Sequence, residues 1–224
     1  MIRAVAFDID GTLTDMERRL DPLSVEAVAR LEVPVILATG NVHCFTRTTS
    51  VLLGISGVSL SENGGVISYG DGQMEVLADI SLCEEAYRML GEVFDLDRMD
   101  SRYRITDIVL DRNFDIGRAV SILEQERLAV DLVDSKFAVH IKDRKVDKGT
   151  ALLKIMDHLR LRPDEIAVVG DSVSDLPMFL VTEFGAAVAN ASSQLKEAAD
   201  YVAKEEFGKG AYEIVEYMIE KEMF

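Results

Sequence analysis

The fold is decided by the stretch at residues 2–12, which reads IRAVAFDIDGT. Its first part, Ile2–Phe7, is an almost continuous apolar run that ends abruptly at Asp8 and Asp10. Such a run is typical of a strand that is buried on both faces, as in a parallel sheet. Further runs of this kind lie at residues 33–38, 58–60 and 166–169. The sequence therefore predicts several buried parallel strands.

Helical segments lie between these strands. Asp21-Pro22 opens one of them, because a capping Asp followed by Pro suits the first turn of a helix. Further helices are expected at about residues 41–54, 148–160, 174–182, 192–199 and 210–223. Strands that alternate with helices indicate βαβ units. We therefore predict an α/β fold with a Rossmann-like, doubly wound parallel sheet.

The middle of the chain has a different pattern. A hairpin is expected at residues 65–77, with strands at 65–69 and 74–77 around a turn at 70–72. Ser81–Glu84 has the form of a capping box, which predicts a helix that runs to about residue 94. After it we expect a strand at 104–110, a helix at 115–128, and strands at 129–133 and 137–142.

The last of these strands alternates apolar and polar side chains, which favours an antiparallel sheet with one open face. We therefore predict that residues 81–146 form a small inserted α+β domain. The main core, with its Rossmann-like sheet, would then be discontinuous, built from residues 1–80 and 147–224.

The composition of the chain limits which partners it can bind and in which cellular compartment we expect it. The 224 residues are 48% hydrophobic and 29% charged, as in an ordinary globular protein. With 24 Lys and Arg against 40 Asp and Glu, the net charge is −16, which repels nucleic acid and anionic membranes. There are only two cysteines, no signal-peptide pattern, and no apolar run near the ~20 residues of a membrane span. We expect a soluble cytoplasmic protein, and a monomer and a homodimer both fit.

Ligands of an open α/β sheet bind beyond the carboxyl ends of its strands, so the polar residues there are the candidates for chemistry. They are Asp8, Asp10, Thr39, Gly40, Asn41, Asp171 and Asp175, together with Lys148 at the start of a helix. Four converging carboxylates repel one another unless a cation neutralises them. Mg²⁺ suits such an oxygen site when it is shared with phosphate. Gly11 would permit the kink that aims both Asp8 and Asp10 at the site.

These residue types match a two-step displacement at phosphorus. One Asp can attack phosphorus and form an aspartyl-phosphate, while a second protonates the leaving alkoxide and then activates water. The Thr39 hydroxyl, backbone N–H groups at a helix start and Lys148 would bind phosphoryl oxygens. A cation in the first turn of a helix opposes the helix dipole, so Lys148 requires an anionic partner.

Four segments resemble the motifs of the haloacid dehalogenase superfamily of phosphohydrolases, in the order of that family. They are DIDGT at 8–12, ATGN at 38–41, DKG at 147–149 and GDSVSD at 170–175. The inserted region lies between the second and third motifs, where that family carries its C2-type cap. Residues 61–65 (SENGG) and 187–191 (AVANA) resemble the Cof-like branch, and the short cap and residues 38–41 resemble archaeal-type phosphoglycolate phosphatases.

The resemblance implies a role for each matching position. Asp8 would be the nucleophile and a Mg²⁺ ligand, and Asp10 would be the general acid and base and offer its backbone carbonyl to the ion. Thr39, Gly40 and Lys148 would hold the phosphoryl group. Asp171 would bind Mg²⁺ directly, and Asp175 directly or through water. Ser174 stands where the family often has Asn and is assigned no role.

Several functions remain open at this stage. The leading hypothesis is a Mg²⁺-dependent phosphomonoesterase acting on a small phosphorylated metabolite, with 2-phosphoglycolate as first candidate and sugar phosphates second. A phosphotransferase would share the same chemistry. A metal-free haloacid dehalogenase is disfavoured by Asp10, Asp171 and Asp175. A non-enzymatic receiver-like switch is disfavoured by the insertion and the length of the chain.

Other polar residues receive structural interpretations. Asn41 is interpreted mainly as a helix cap, and Glu62 and Asn63 as residues that shape a turn. His140 and Lys142 share the open face of the last inserted strand, as does Arg104 on another. They would meet a leaving group or, as the favoured interpretation, form a solvated face.

Overall fold

Two sheets make up the computed structural model, which describes residues 1–70, 72–99, 102–135 and 137–224. The residue Asp71 of the predicted 70–72 turn lies outside these ranges. The larger sheet has eight strands and the smaller has four within these ranges.

The bounds of the strands are β1 Ala4–Asp8, β2 Val35–Ala38, β3 Val58–Ser61, β4 Val66–Tyr69, β5 Met74–Val76, β6 Arg98–Met99, β7 Ile108–Leu110, β8 Val130–Asp134, β9 Val139–Asp143, β10 Ile166–Gly170, β11 Phe184–Ala187 and β12 Tyr201–Val202. Those of the helices are α1 Pro22–Ala29, α2 His43–Leu53, α3 Ser81–Leu90, α4 Ile116–Gln125, α5 Lys148–Leu159, α6 Leu176–Phe179, α7 Ser193–Ala198 and α8 Phe207–Glu220. None of the helices in the described ranges is long and apolar enough to cross a bilayer.

The strands follow the order β12-β11-β10-β1-β2-β3-β4-β5 in the larger sheet and β6-β7-β9-β8 in the smaller. The larger sheet is parallel from β12 to β3 and antiparallel at β4 and β5. All five residues of β1 and all five of β10 are buried, as the apolar runs predicted. The α/β prediction with a doubly wound, Rossmann-like sheet is confirmed. Because β1 pairs with β10 on one side and with β2 on the other, the carboxyl ends of these three strands lie side by side.

The smaller sheet is antiparallel throughout. Together with α3 and α4 it encloses a hydrophobic cluster of its own, which includes Leu90, Ile108 and Ile141. No residue of this cluster belongs to the buried core of the larger sheet among the described residues. The division at residues 80/81 and 146/147 stays a prediction, which this separation of the two cores supports.

The predicted strand at 104–110 is too long, because only Ile108–Leu110 is a strand. The carboxylate of Glu62 accepts hydrogen bonds from the backbone N–H of Ile105 (2.9 Å), the N–H of Thr106 (2.7 Å) and the Thr106 hydroxyl (2.8 Å). These N–H groups are therefore not available to a sheet ladder. The turn predicted at Glu62 and Asn63 is confirmed, and both residues have positive φ there.

Other predicted boundaries also need correction. The segment 174–182 holds only a short 3-10 turn and the four-residue α6, since the Glu183 N–H donates to the Pro163 carbonyl and turns the chain into β11. Helix α8 begins at Phe207 rather than near 210, because Asn190 Oδ1 accepts the Phe207 N–H. The Ser81 capping box is wrong: Asp79 Oδ1 accepts both the N–H and the hydroxyl of Ser81.

The contact of Glu62 with the cap predicts a pH dependence. Burial, and then the nearby Asp107, raise the pKa of Glu62 above its ordinary value. A carboxyl with a raised folded-state pKa contributes stability that is complete below its unfolded pKa and is lost as pH rises through the folded pKa. We therefore expect the stability advantage of wild type over Glu62→Gln, measured by urea unfolding, to shrink between pH 4.5 and 7.5. A difference that is constant over this range would contradict the prediction.

Candidate active site

Three residues that are distant in the sequence meet at the centre of the site. Lys148 Nζ lies 2.6 Å from Asp8 Oδ1 and 2.6 Å from Asp175 Oδ1. All three side chains are buried, with 2%, 6% and 0% of their area exposed. Lys148 is the first residue of α5, behind the capping box of Asp147 and Thr150. The anionic partner predicted for this cation is thus present twice.

The electrostatics of this cluster are set by burial and by the lysine. Burial raises the pKa of the Asp8 carboxyl well above its ordinary value, and Lys148 opposes that shift while Asp175 and Asp171 add to it. Burial alone would lower the pKa of Lys148, but Asp175 and Asp8 outweigh it and raise the pKa. Lys148 therefore stays charged and balances only part of the negative charge of the three carboxylates.

Three carboxylates are close enough to share one cation. Oxygen atoms of Asp8, Asp171 and Asp175 lie within 4.8 Å of one another. Asp8 Oδ2 is buried and has no hydrogen-bond partner in the described part of the chain. Hard divalent cations prefer oxygen ligands of this type. An orphaned carboxylate oxygen beside two further carboxylates fits such an ion.

The loop after β1 approaches Asp171 closely. Gly11 has φ +94°, and a Cβ placed there would lie 2.7 Å from Asp171 Oδ2. The kink that the sequence predicted at Gly11 is confirmed, and only glycine leaves room for the carboxylate. Asn190 Nδ2 fixes the same loop from the other side, at 2.8 Å from the Gly11 carbonyl.

Asp175 also accepts hydrogen bonds from the backbone, in addition to its contact with Lys148. Its Oδ2 accepts the N–H groups of Asp171 at 3.1 Å and Ser172 at 2.9 Å, which holds the turn after β10. The Ser174 hydroxyl lies 2.8 Å from that of Ser172 and remains within this turn. Both oxygens of Asp175 thus have protein partners, which favours contact with an ion through water.

Asp10 lies in a separate network. Arg18 Nε donates to Asp10 Oδ1 at 2.8 Å, and Asn41 Nδ2 donates to Oδ2 at 2.7 Å. The Thr39 hydroxyl lies 3.3 Å from the same Oδ2 and accepts the Asn41 N–H at 3.0 Å. The carboxylate of Asp10 is therefore not part of the three-carboxylate group, and Thr39 stands beside it.

Two members of the Asp10 network differ from the sequence interpretation. Asn41 is not the helix cap, since Val42 holds that position and no side chain caps α2. The sequence did not identify Arg18 as a site residue. It is one of several charged residues in an exposed loop, and no motif distinguishes it from the others. Its guanidinium lies 6.0 Å from the ring centroid of Phe45 and 5.9 Å from that of Phe137, which belongs to the inserted region.

The inserted region contacts the loop after β2. Arg104 Nη1 donates to the Gly40 carbonyl at 2.9 Å and to Asp107 Oδ1 at 2.8 Å. His140 Nδ1 lies 2.9 Å from Asp107 Oδ2 and 3.2 Å from Asn63 Nδ2. This contact brings residues of the inserted region to the loop of Thr39 and Gly40.

The favoured interpretation of the inserted sheet face as solvated is wrong. His140 and Lys142 are both buried, because the first packs on Asn63 and the second donates to the Val146 carbonyl at 2.8 Å. The alternation of apolar and polar side chains along a strand identifies the two faces of a sheet, but it does not show whether the polar face is exposed. Here the side chains of His140 and Lys142 on that face are covered by other parts of the protein.

The fold and this arrangement of carboxylates and lysine define a hydrolase of the haloacid dehalogenase type. The model of the family of haloacid dehalogenase-like hydrolases matches residues 5–114 and 115–214. The chain belongs to this family. The predicted class of enzyme, a hydrolase of the phosphatase type, is confirmed by the family and its relatives.

The relatives match over nearly the whole chain. A protein of Methanothrix thermoacetophila named phosphoglycolate phosphatase is 53% identical over 97% of each chain. One of Archaeoglobus fulgidus with the same name is 44% identical over 96% of each. The solved structure of Thermoplasma acidophilum 0175 is 27% identical, covers 100% of both chains and has a TM-score of 0.90. A Thermotoga maritima structure with 19% identity and a TM-score of 0.79 shares the fold.

Proposed function

We propose that this protein is a Mg²⁺-dependent phosphomonoesterase that hydrolyses a small phosphorylated metabolite, with 2-phosphoglycolate as the first substrate to test. The observation that carries the proposal is the buried Lys148 between Asp8 and Asp175, with Asp171 beside them. A lysine among carboxylates suits a site that must accept both a cation and an anionic phosphoryl group. The choice of 2-phosphoglycolate as substrate rests on two relatives named phosphoglycolate phosphatase, which match nearly the whole chain.

Asp8 would open the reaction as a nucleophile. One of its carboxylate oxygens forms a bond to phosphorus while the bond from phosphorus to the ester oxygen breaks, and the product is an aspartyl-phosphate. Asp10 gives a proton to the departing alkoxide, which then leaves as an alcohol. Arg18, Asn41 and Thr39 orient the carboxyl group of Asp10 for this transfer.

The second step returns the enzyme to its starting state. Asp10, now a carboxylate, takes a proton from water as the water oxygen attacks phosphorus. The bond between phosphorus and Asp8 breaks, and inorganic phosphate is released. Thr39, Gly40 and Lys148 would hold the phosphoryl oxygens in both steps, with the hydroxyl, the backbone and the ammonium group as donors.

The resident cation would be held by Asp8 and Asp171, with Asp175 and the backbone carbonyl of Asp10 completing its protein surroundings. Mg²⁺ suits these oxygen ligands, and when bound it would neutralise charge on the phosphoryl group. Lys148 supplies the remaining positive charge at a point fixed by the first turn of α5.

The test is phosphate release from a panel of phosphomonoesters, assayed with Mg²⁺ and with EDTA. The panel contains 2-phosphoglycolate, several sugar phosphates and phosphoserine. Metal-dependent release that is fastest on 2-phosphoglycolate would support the whole proposal. Faster release from a sugar phosphate would correct the substrate, and transfer to an added alcohol without net hydrolysis would indicate a phosphotransferase. No release from any ester would overturn the proposal.

We further propose that the protein acts in the cytoplasm on a freely diffusing metabolite. Both cysteines are free, with Cys83 buried and Cys44 exposed, as suits a reducing compartment. The net charge of −16 disfavours nucleic acid and anionic membranes as partners.

A further inference from the structure

Arg104 is a buried arginine of the inserted region whose guanidinium is only partly used. Its side chain is 3% exposed. Within the described residues its hydrogen bonds leave from Nη1, to the Gly40 carbonyl at 2.9 Å and to the two Asp107 oxygens at 2.8 and 3.0 Å. Nε is buried and has no partner among the described residues.

A buried donor without a partner is unusual and costs free energy. Leaving a buried polar group unpaired destabilises a protein by about 1–3 kcal/mol, and more when the group is charged. The edge of a guanidinium formed by Nε and Nη2 presents two parallel N–H groups, whose spacing matches the two oxygens of a carboxylate. Arg104 therefore keeps an edge suited to a carboxylate in a place where the described residues offer Nε no partner.

The position of Arg104 indicates which carboxylate would bind. Its Nη1 contacts the carbonyl of Gly40, the residue next to Thr39 in the loop that would hold the phosphoryl group. The ring of His140 borders the same glycine, since a Cβ placed on Gly40 would lie 3.3 Å from His140 Cε1. A carboxylate attached a few bonds from phosphorus is therefore the group to test at this border.

The surroundings of Arg104 hold its orientation. Asp107 is 1% exposed and binds Nη1 with both oxygens, while His140 Nδ1 lies 2.9 Å from Asp107 Oδ2. The Glu62 carboxylate anchors Ile105 and Thr106, so the segment between Arg104 and Asp107 is fixed to the core. These contacts fix Nη1, while Nε has no hydrogen-bond partner among the described residues.

We propose that the Nε and Nη2 edge of Arg104 binds a carboxylate on the leaving group, and so makes this residue a determinant of specificity for short phosphorylated carboxylic acids. The inference rests on the proposed phosphatase function and deepens it. Asp107 is a positioning residue in this arrangement, because it acts through Arg104. The subsite discriminates by charge and by bidentate geometry, not by the size of the leaving group.

The experiment compares two substrates that differ only in the carboxylate, namely 2-phosphoglycolate and 2-hydroxyethyl phosphate. For Arg104→Gln we expect kcat/KM on 2-phosphoglycolate to fall by about 100-fold or more, and that on 2-hydroxyethyl phosphate to change by less than about threefold. Arg104→Lys keeps the charge but lacks the bidentate edge. Its kcat/KM on 2-phosphoglycolate should therefore stay at or below about a tenth of the wild-type value. Arg102→Gln, at an exposed arginine of the same segment, should leave both values unchanged.

Each alternative outcome has a definite meaning. Equal losses on both substrates in Arg104→Gln and Arg104→Lys would overturn the subsite, since the arginine would then serve the structure of the cap. A wild type that hydrolyses both esters equally well would also overturn it, while the phosphatase would stand. If no ester is hydrolysed, calorimetric binding of 2-phosphoglycolate decides: weaker binding to Arg104→Gln than to Arg102→Gln supports the subsite although the proposed function fails, and equal or absent binding overturns both.

Discussion

Asp8→Asn is expected to lower the rate of phosphate release by about 10⁴-fold or more, which corresponds to roughly 5 kcal/mol of barrier. The amide is a poor nucleophile and cannot form the aspartyl-phosphate, so the two-step route is closed. The substitution should change the fold little, because Lys148 keeps its contact with Asp175 at 2.6 Å. Steady-state assays with Mg²⁺ on the best ester of the panel measure the effect.

Asp164→Asn is a matched control for this substitution. Asp164 is 42% exposed and pairs with Arg162 at the surface. It precedes β10, whereas Asp171 follows the opposite end of that strand. The Asp164→Asn variant should retain wild-type turnover. An Asp8→Asn enzyme that keeps more than about a tenth of the wild-type rate would exclude Asp8 as the nucleophile.

Lys148→Met is expected to lower the free energy of unfolding by about 3–5 kcal/mol in the presence of EDTA. The substitution removes the ammonium group that lies between two buried carboxylates, and leaves Asp8 and Asp175 without that counter-charge. Mg²⁺ should restore part of the loss, because a cation at the three carboxylates replaces some of the missing positive charge. Urea unfolding with EDTA and with Mg²⁺ measures both effects, and turnover should also be lost.

The same helix offers a control. Lys154 in α5 is 50% exposed and pairs with Glu75 at 2.7 Å, so Lys154→Met should cost less than about 1 kcal/mol. If Lys148→Met costs no more than Lys154→Met in EDTA, the carboxylates around Lys148 do not depend on it for their charge balance.

The parts of the fold that could be predicted are those with a strong local pattern. The apolar run before Asp8 and the cap at Asp21 each have one physical interpretation, and both are confirmed. The strand β11 was missed because Phe184–Ala187 reads FGAA, in which small residues replace the β-branched ones that mark a strand. The two-residue strands β6 and β12 carry no periodicity at all.

The parts that could not be predicted depend on contacts between distant residues. Nothing near Arg104 in the sequence shows that Glu62 takes up the N–H groups of Ile105 and Thr106 and ends a strand that local propensity favours. The burial of His140 likewise results from Asn63, 77 residues earlier. The carboxylates and Lys148 could be predicted because strands and helices alternate along the sequence. That alternation indicates a parallel sheet, in which the carboxyl ends of neighbouring strands lie together. The roles of these residues in catalysis stay a prediction.

The central place of β1 has a consequence for the order in which the protein acquires its structure. β1 is made well before one of its two neighbours, β10, which begins at residue 166. Until that segment leaves the ribosome, one side of β1 presents unpaired backbone N–H and carbonyl groups, a situation that invites association with other chains. The inserted region is complete before β10 is made, and its own core requires no residue of β10. We therefore expect the inserted region to fold before the core of the larger sheet during synthesis, and that core to close around β1 only after β10 has been made.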